Sequence, residues 1–590
     1  MIAFPGPGWD FASPQTAITF SAGDPGAVQV VGSDSGPHTG RLHGLRGRPG
    51  AVFTPDRAFE PGERVTVTAG TRVVGAGGRT FSFGVSRPAY APHPTPDFSG
   101  LPGLTPGPRR AAGLGTCRLH RPRLRTLPRL RPAGFCVNRR TTRRGGRRHI
   151  LVAPRSHPER QARDQHGVML FSAAGRLQWY SRRPAVARDF KVVRYRGRRL
   201  LAFHEDPPGD DDRYVLLNHR YRPVLRLRAR YGYPTNLHEL QITRRGTAYL
   251  SSYVPVFMPR SLRIVTDYVI QEIDIATRDV LFEWHSLDHV PPSATYQPRP
   301  APGYSWDYFH GNSIEPPDRR GTLIVSGRNT SAIYGIARRT GRLRWTFGGR
   351  RDQFGLVRRH PERQFCAQHD ARHAAGGTIT LFDNGGPVLG TCPIHRARVQ
   401  QFRLHIRARR AQLVRTVPSY ASSPDGRGLY AWAMGSVRGE RGGTRLINWG
   451  TTGYVTEVAP DGRVVFGLRL QYYTYRAIPA RWRGFPTGRP AIAVRRAGPA
   501  VRVWASWNGA TEIRSWQVLA GRTPDALRPL GRRRFRGLET AMRVRTRRPY
   551  VAVRALDRRG AGLGRSAAVH VRAAPTGAGA PARRRARGAG

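Results

Sequence analysis

The stretch Phe365-Cys-Ala-Gln-His-Asp-Ala-Arg-His-Ala-Ala-Gly-Gly-Thr-Ile-Thr-Leu-Phe-Asp-Asn-Gly-Gly386 has a polar head at Gln368, His369 and Asp370. A Gly-Gly turn follows, and then the apolar alternation of Thr378 to Phe382. That order predicts a short strand, a tight turn and a second strand. The plan occurs twice upstream, where His238-Glu-Leu-Gln leads to Gly246-Thr-Ala-Tyr-Leu and His310-Gly-Asn-Ser-Ile leads to Gly321-Thr-Leu-Ile-Val. A fourth copy runs from Gly435-Ser436 to Gly443-Thr-Arg-Leu-Ile-Asn-Trp and has no histidine at its head. Three equivalent units that each open with a histidine point three imidazoles at one place.

A second hairpin alternates with the first. Its copies are Gly175-Arg-Leu-Gln-Trp-Tyr, Arg222-Pro-Val-Leu-Arg-Leu, Arg278-Asp-Val-Leu-Phe-Glu-Trp, Gly341-Arg-Leu-Arg-Trp-Thr, Ala411-Gln-Leu-Val-Arg-Thr and Gly462-Arg-Val-Val-Phe-Gly. They recur at roughly 50 to 70 residues, the period of four-stranded propeller blades with loop insertions. Six copies predict an all-β chain with a six-bladed β-propeller over 149–487, and Trp179, Trp284 and Trp345 as blade core. Before it, Ala17-Ile-Thr-Phe, Val28-Gln-Val-Val and Arg64-Val-Thr-Val-Thr alternate at period two, which predicts an N-terminal β-sandwich over 1–90. Residues 91–148, rich in Pro, Gly and Arg, read as a linker. Val501-Arg-Val-Trp-Ala-Ser-Trp and Tyr550-Val-Ala-Val-Arg-Ala-Leu predict a C-terminal fibronectin-like β-sandwich over 488–573, and 574–590 reads as a disordered tail.

Composition bounds the partners. The 590 residues carry 99 Lys+Arg against 37 Asp+Glu, a net charge of +62. Such charge invites a nucleic-acid reading. Yet Lys191 is the lone lysine and the arginines are spread along the whole chain, so coding bias is the preferred account and no specific nucleic-acid partner is expected. The charge would still favour anionic ligands. No apolar run reaches the roughly 20 residues of a membrane span, and Met1-Ile-Ala-Phe-Pro lacks the form of a signal peptide. The four cysteines form two local pairs, Cys117 with Cys136 and Cys366 with Cys392. Disulfides would fit an oxidising compartment. For the second pair, Cys366-Ala-Gln-His369 and Cys392-Pro-Ile-His395 leave a zinc reading open.

The hairpin offset adds candidates to the histidines. Seven residues beyond each turn glycine stand Tyr253, Arg328, Asn384 and Gly450, which should lie at matching levels. Arg328 and Asn312 thereby become neighbours of His238, His310 and His369. Imidazoles, a guanidinium and a carboxamide form a donor-rich pocket for a tetrahedral oxyanion, and a neutral histidine there could act as nucleophile. Glu239, Asp370 and Asp383 are expected to orient neighbours or close turns. Asp370, next to His369 on an extended strand, should point to the other side. Asp210-Asp-Asp-Arg reads as an exposed acidic loop. Neither a P-loop nor a Rossmann fingerprint is present, and no cofactor is expected.

Leu237-His-Glu-Leu-Gln-Ile-Thr, Tyr308-Phe-His-Gly-Asn-Ser-Ile, Val325-Ser-Gly-Arg-Asn-Thr-Ser-Ala-Ile-Tyr, and Gln368-His-Asp-Ala-Arg with Leu381-Phe-Asp-Asn-Gly together resemble the arylsulfotransferase family in its actinobacterial-type branch. The resemblance covers roughly 167–476. It implies a six-bladed propeller with an attached β-sandwich and an extracytoplasmic location. It also implies transfer of a sulfuryl group from an aryl sulfate donor to a phenolic acceptor, without a nucleotide donor. By motif His369 would be transiently sulfated, Arg328 would hold the sulfuryl oxygens, and His310, Asn312 and His238 would complete the site. The alternative is a non-catalytic propeller that binds anionic aromatic or glycan ligands.

Overall fold

The computed structural model describes residues 1–92, 112–139, 148–155, 165–207, 209, 211–356, 363–386 and 396–572. Among them the chain is nearly all β, built from antiparallel sheets joined by turns and short 3₁₀ segments. It divides into two compact units. One comprises Met1–Arg121, Pro132–Gly175 and Ser181–Trp482, and the other comprises Pro122–Arg131, Arg176–Tyr180 and Arg483–Gly590.

In the first unit, four consecutive sheets each hold four strands in sequence order. They run from Val186–Tyr195 to Pro223–Leu227, Leu240–Ile242 to Val280–His285, Gly311–Glu315 to Leu343–Gly348, and His369–Ala374 to Arg410–Pro418. A fifth runs from Ser436–Gly439 to Val464–Leu470 and gains Phe135–Arg139 as an extra edge strand. That strand lies in the stretch read as a linker, where Phe135-Cys-Val alternates and the Phe135 ring meets Phe171 edge-on. A sixth sheet pairs Arg148–Val152 with Gly167–Ser172 on one side and with the distant Ile478–Arg481 on the other.

These middle strands are packed on both faces. Thr322–Gly327, Ala332–Ala337 and Thr378–Asp383 are buried at every residue, the pattern of a sheet covered on each side rather than of one with a wet face. Trp179, Trp284 and Trp345 are all buried. The Trp345 indole lies flat against Gly335, where a Cβ would come within 2.1 Å of the ring.

Residues 2–84 of the same unit form two four-stranded sheets around one apolar cluster that includes Ile18, Phe20, Val65, Val67 and Phe83. Arg64–Ala69 alternates as expected, with Val65 and Val67 inward and Arg64 and Thr66 outward. Ile2 and Phe4 instead join the cluster of Phe282 and Trp284.

The second unit has its own core of Val501, Val503, Trp516, Val518, Val551 and Val553. It lies between a three-stranded sheet and a larger one centred on Ser515–Gly521 and Tyr550–Leu556. Glu539–Arg545 shows the half-buried period, with Thr540, Met542 and Val544 inside and Arg543 and Arg545 out. The tail 574–590 lies outside the described residues.

Cys117 and Cys136 are bonded. Cys366 is likewise in a disulfide, which removes the thiolate that the zinc reading required, while its expected partner Cys392 lies outside the described residues. No helix among the described residues is long and apolar enough to cross a membrane.

Candidate functional site

The three histidines head the first strands of three successive sheets. His369 is the first residue of His369–Ala374, whereas His238 and His310 sit in the turns just ahead of Leu240–Ile242 and Gly311–Glu315. Their strands do not begin as plain extended chain. His310 and Asp370 have φ of 50° and 59°, and the ladders slip a residue between Gly311 and Ser313 and between His369 and Arg372. Such bulges re-aim side chains at a sheet edge. Asp370 has no hydrogen bond to His369 among the described residues, in keeping with its expected role. Its carboxylate turns to Arg372 Nε at 3.0 Å, Arg438 Nη2 at 2.9 Å and the Val437 N–H at 3.1 Å.

The rings converge. His238 and His310 have centroids 5.2 Å apart, and Tyr253 stacks on His238 at 5.3 Å with an 18° tilt. Tyr475 closes on His238 edge-on at 5.4 Å. The two phenol hydroxyls are spent on backbone, Tyr253 donating to Gly311 O and Tyr475 to Asn312 O.

Each imidazole is oriented by one partner. His238 donates from Nδ1 to Asn236 Oδ1 at 2.6 Å. His310 Nδ1 is held by Asp307, whose other oxygen accepts the His310 N–H at 3.1 Å. His369 Nδ1 lies 2.8 Å from Asn384 Oδ1 and 3.1 Å from Ala367 O. The Asn384 amide cannot be reversed, because its Nδ2 donates to Ala431 O at 2.7 Å and to Met434 O at 3.0 Å. Nδ1 of His369 thus carries the proton, and its Nε2 lone pair accepts the Met434 N–H at 3.2 Å. Burial first, and then the Arg328 charge, lower the pKa of His369 to about 3. This imidazole is neutral in ordinary buffers.

Arg328 is buried and has no carboxylate within ion-pair distance among the described residues. Nη1 donates to Asn329 Oδ1 at 2.8 Å, Nη2 reaches Trp432 O at 3.4 Å, and Nε finds no acceptor. Desolvation accordingly lowers its pKa. A buried guanidinium without a carboxylate is costly unless something anionic joins it. Asn312 is placed differently from expectation. Its Nδ2 donates to Gln368 O at 2.8 Å, which ties it to the residue ahead of His369.

Beneath the histidines lies a layer of buried charge that the motifs did not disclose. Asp189, Glu239 and Asp370 are fully enclosed, and the Arg476 guanidinium reaches all three, at 2.7, 3.1 and 3.3 Å. Lys191, the lone lysine, bridges Asp189 at 2.6 Å and Glu239 at 2.8 Å, and Arg372 bonds to Glu239 as well. The cations hold Glu239 well below the carboxylate range and Asp370 at about 2, against the opposing effect of burial. Asp383 closes a turn, accepting from the Cys366 and Gly385 N–H groups. Among the described residues no group of three or more His, Cys, Asp or Glu is arranged to hold a metal ion.

No curated protein matches the sequence significantly. Among solved structures, a protein of unknown function from Bacteroides caccae shares 12% identity and a TM-score of 0.35, covering 57% of this chain and 100% of its own. Hydrazine synthase of Kuenenia stuttgartiensis shares 11% identity and a TM-score of 0.29, covering 50% of this chain and 71% of its own. Virginiamycin B lyase from Staphylococcus aureus shares 8% and 0.25, covering 62% and 90%. These likenesses are too distant to carry an argument. The sequence match is informative, because residues 217–471 fit the arylsulfotransferase (ASST) family model and that span holds His238, His310, Asn312, Arg328 and His369. Over residues 217–471, somewhat under half of its length, the chain is thus similar to the arylsulfotransferase family.

Proposed function

We propose that the protein transfers a sulfuryl group from an aryl sulfate to a phenol by a ping-pong route through sulfo-His369, at the mouth of a six-bladed β-propeller flanked by β-sandwiches. The six sheets of the first unit would be the blades, closed where Ile478–Arg481 pairs with Arg148–Val152. One observation carries the reading. A neutral imidazole with its proton fixed on Nδ1 presents Nε2 beside a buried guanidinium that has no carboxylate.

In the first half-reaction His369 Nε2 attacks sulfur. The N–S bond forms, the bond from sulfur to the aryl oxygen breaks, and the phenolate leaves. Arg328 exchanges Trp432 O for the sulfuryl oxygens, and the Met434 N–H, now on Nε2, becomes a further donor to them. His310, oriented by Asp307, supplies from Nε2 the proton that the leaving phenolate takes. In the second half-reaction it accepts the proton of the acceptor phenol, which attacks sulfur and restores free His369. His238, packed between Tyr253 and Tyr475 with its proton on Nδ1, offers the Nε2 lone pair as an acceptor to a substrate hydroxyl. Asn312 acts through Gln368 by positioning His369. The family likeness and the disulfides support an extracytoplasmic setting.

Mixing the protein with a chromogenic aryl sulfate, without acceptor, should release phenol in a burst. Intact-mass analysis should then show one added sulfuryl group, mapped to His369 and absent from His369→Ala. Binding of the aryl sulfate with neither burst nor label would favour the non-catalytic propeller instead.

A further inference from the structure

Away from the histidines, four turns of the first unit line an open cavity of about 620 Å³ with Arg46, Arg48, Arg196, Arg244, Arg245, Tyr195 and Asp274. We propose that this cavity binds a small polyanion carrying at least two sulfate or phosphate groups, at a site separate from the transfer centre.

The turns that present the arginines are fixed by their backbone. Tyr195 and Arg198 pair across a two-residue turn in which Arg196 and Gly197 have φ of 48° and 74°, the two positive values of a tight hairpin turn. Arg244 and Arg245 lead into Gly246, at φ 79°, whose N–H donates to Thr243 O at 3.1 Å. Gly47, at φ 65°, separates Arg46 from Arg48. The first two hairpins touch, since a Cβ on Gly246 would meet Tyr195 Cε2 at 3.7 Å. The arginines are therefore delivered on short rigid loops from three directions.

Their charge is not neutralised internally. Arg46, Arg196, Arg244 and Arg245 form no ion pair among the described residues, although Arg196 lies over the Tyr195 ring at 5.2 Å. The one acid in the lining is occupied. Asp274 Oδ1 accepts the Ala276 and Thr277 N–H groups at 2.9 and 3.3 Å, and Oδ2 faces Arg48 at 3.5 Å. Five guanidinium groups against one engaged carboxylate form a cavity that an anion completes, and guanidinium suits sulfate and phosphate through paired donors. The volume lies within the roughly 300–1,000 Å³ of small-molecule sites. Because the cations come from separate turns, one isolated oxyanion cannot satisfy them, whereas a ligand with spaced anionic groups can. The half-buried Tyr195 ring offers a wall for the ligand's apolar body.

The full chain would be titrated calorimetrically with inorganic triphosphate and, separately, with sucrose octasulfate, at moderate salt. At least one should bind stoichiometrically, and which of them binds more tightly assigns the phosphate or sulfate source. The triple variant Arg46→Ala, Arg244→Ala, Arg245→Ala should weaken that binding at least about tenfold, the size of one charge-assisted hydrogen bond. A control with the same charge change at exposed positions elsewhere, Arg522→Ala, Arg547→Ala, Arg558→Ala, should leave it unaltered. Arg245→Glu alone, which removes no turn glycine, should also weaken binding and serves if the triple variant misfolds. Equal loss in the control, binding by neither probe, or equal competition by random DNA would each overturn the site.

Discussion

His369 and His285 are both shut away from water, at 2% exposure each, yet one is neutral and the other carries a charge. Burial is the largest influence on both and disfavours the proton in each. At His285 it is overcome by two carboxylates, with Asp267 at 2.6 Å from Nδ1 and Glu283 at 3.1 Å from Nε2, so the proton is kept well above the usual histidine range. At His369 the partner on Nδ1 is a neutral amide and the strongest charge effect is that of the Arg328 cation, so the proton is lost down to about pH 3. Depth in the protein therefore does not decide what a histidine can do. A ring whose two nitrogens are both tied to carboxylates is a structural cation, whereas a ring held by an amide on one side keeps a nucleophilic lone pair on the other.

Four experiments test that contrast. Asp267→Asn strips His285 of one carboxylate and disturbs the Ser286 and Leu287 bonds to the other Asp267 oxygen. Breaking a buried pair typically costs about 3–5 kcal/mol. Urea unfolding should register a loss of that size, while the remaining folded protein still transfers sulfate; a neutral result would mean that His285 is not charged. Arg328→Ala removes the cation beside His369, and steady-state turnover of an aryl sulfate should fall by about 100- to 1,000-fold, as for loss of one oxyanion donor at about 2.7–4 kcal/mol. Unchanged turnover would take Arg328 out of the mechanism.

Asn384→Asp should convert the His369 setting toward that of His285. A carboxylate on Nδ1 favours the charged ring, and the acid limb of the pH–rate profile should move up by at least about one pH unit. A limb that stays put would separate the Asn384 contact from the chemistry. The smallest effect is spread over several residues. Below their ordinary value of 6.5 the histidines of the unfolded chain take up protons, whereas in the native chain His204 and His289 do so only near 4 and His369 near 3. Their contribution to stability is intact above pH 6.5 and declines on acidification, by about 1.4 kcal/mol per pH unit for each. Asp288, raised by burial to about 7, is protonated natively while the unfolded carboxyl is ionised, and so it offsets one of the three over this range. Urea midpoints should accordingly drop between pH 6 and pH 5; a flat profile would contradict these buried neutral rings.

Much of this centre was legible in the chain. The repeated glycine hairpins located the three histidine heads, and the offset of seven residues found Tyr253, Arg328 and Asn384, which stack on His238 or bear on His369. It also found Gly450, at φ 57°, where a Cβ would lie 2.4 Å from Ala433 O beneath the segment that reaches His369. What stayed hidden depends on departures from period two or on distant chain. The bulges that turn Asp370 toward arginines have no composition signal, because neither residue with positive φ is a glycine. Asp307 and Asn236, only two or three residues from their histidines, were obscured because a short acid or amide beside a turn reads first as turn chemistry. Asp189, Lys191 and Arg476 lie outside the repeated motif and meet Glu239 only through the tertiary fold. The excess of arginine masked the few that are buried.

Arg476 stands just ahead of Ile478–Arg481, the strand that pairs with Arg148–Val152 at the other end of the sheet series. During synthesis that early strand must wait for more than half of the chain, with an unpaired edge available to other chains. Asp189, Glu239 and Asp370 wait as well, since the guanidinium that joins them arrives with the last strand. The pairing of these two distant strands and the compensation of the buried charge are therefore a single late event. A ribosome-bound chain stopped before Arg476 should hold its sheets loosely and depend on chaperones, and a few residues more should let it lock.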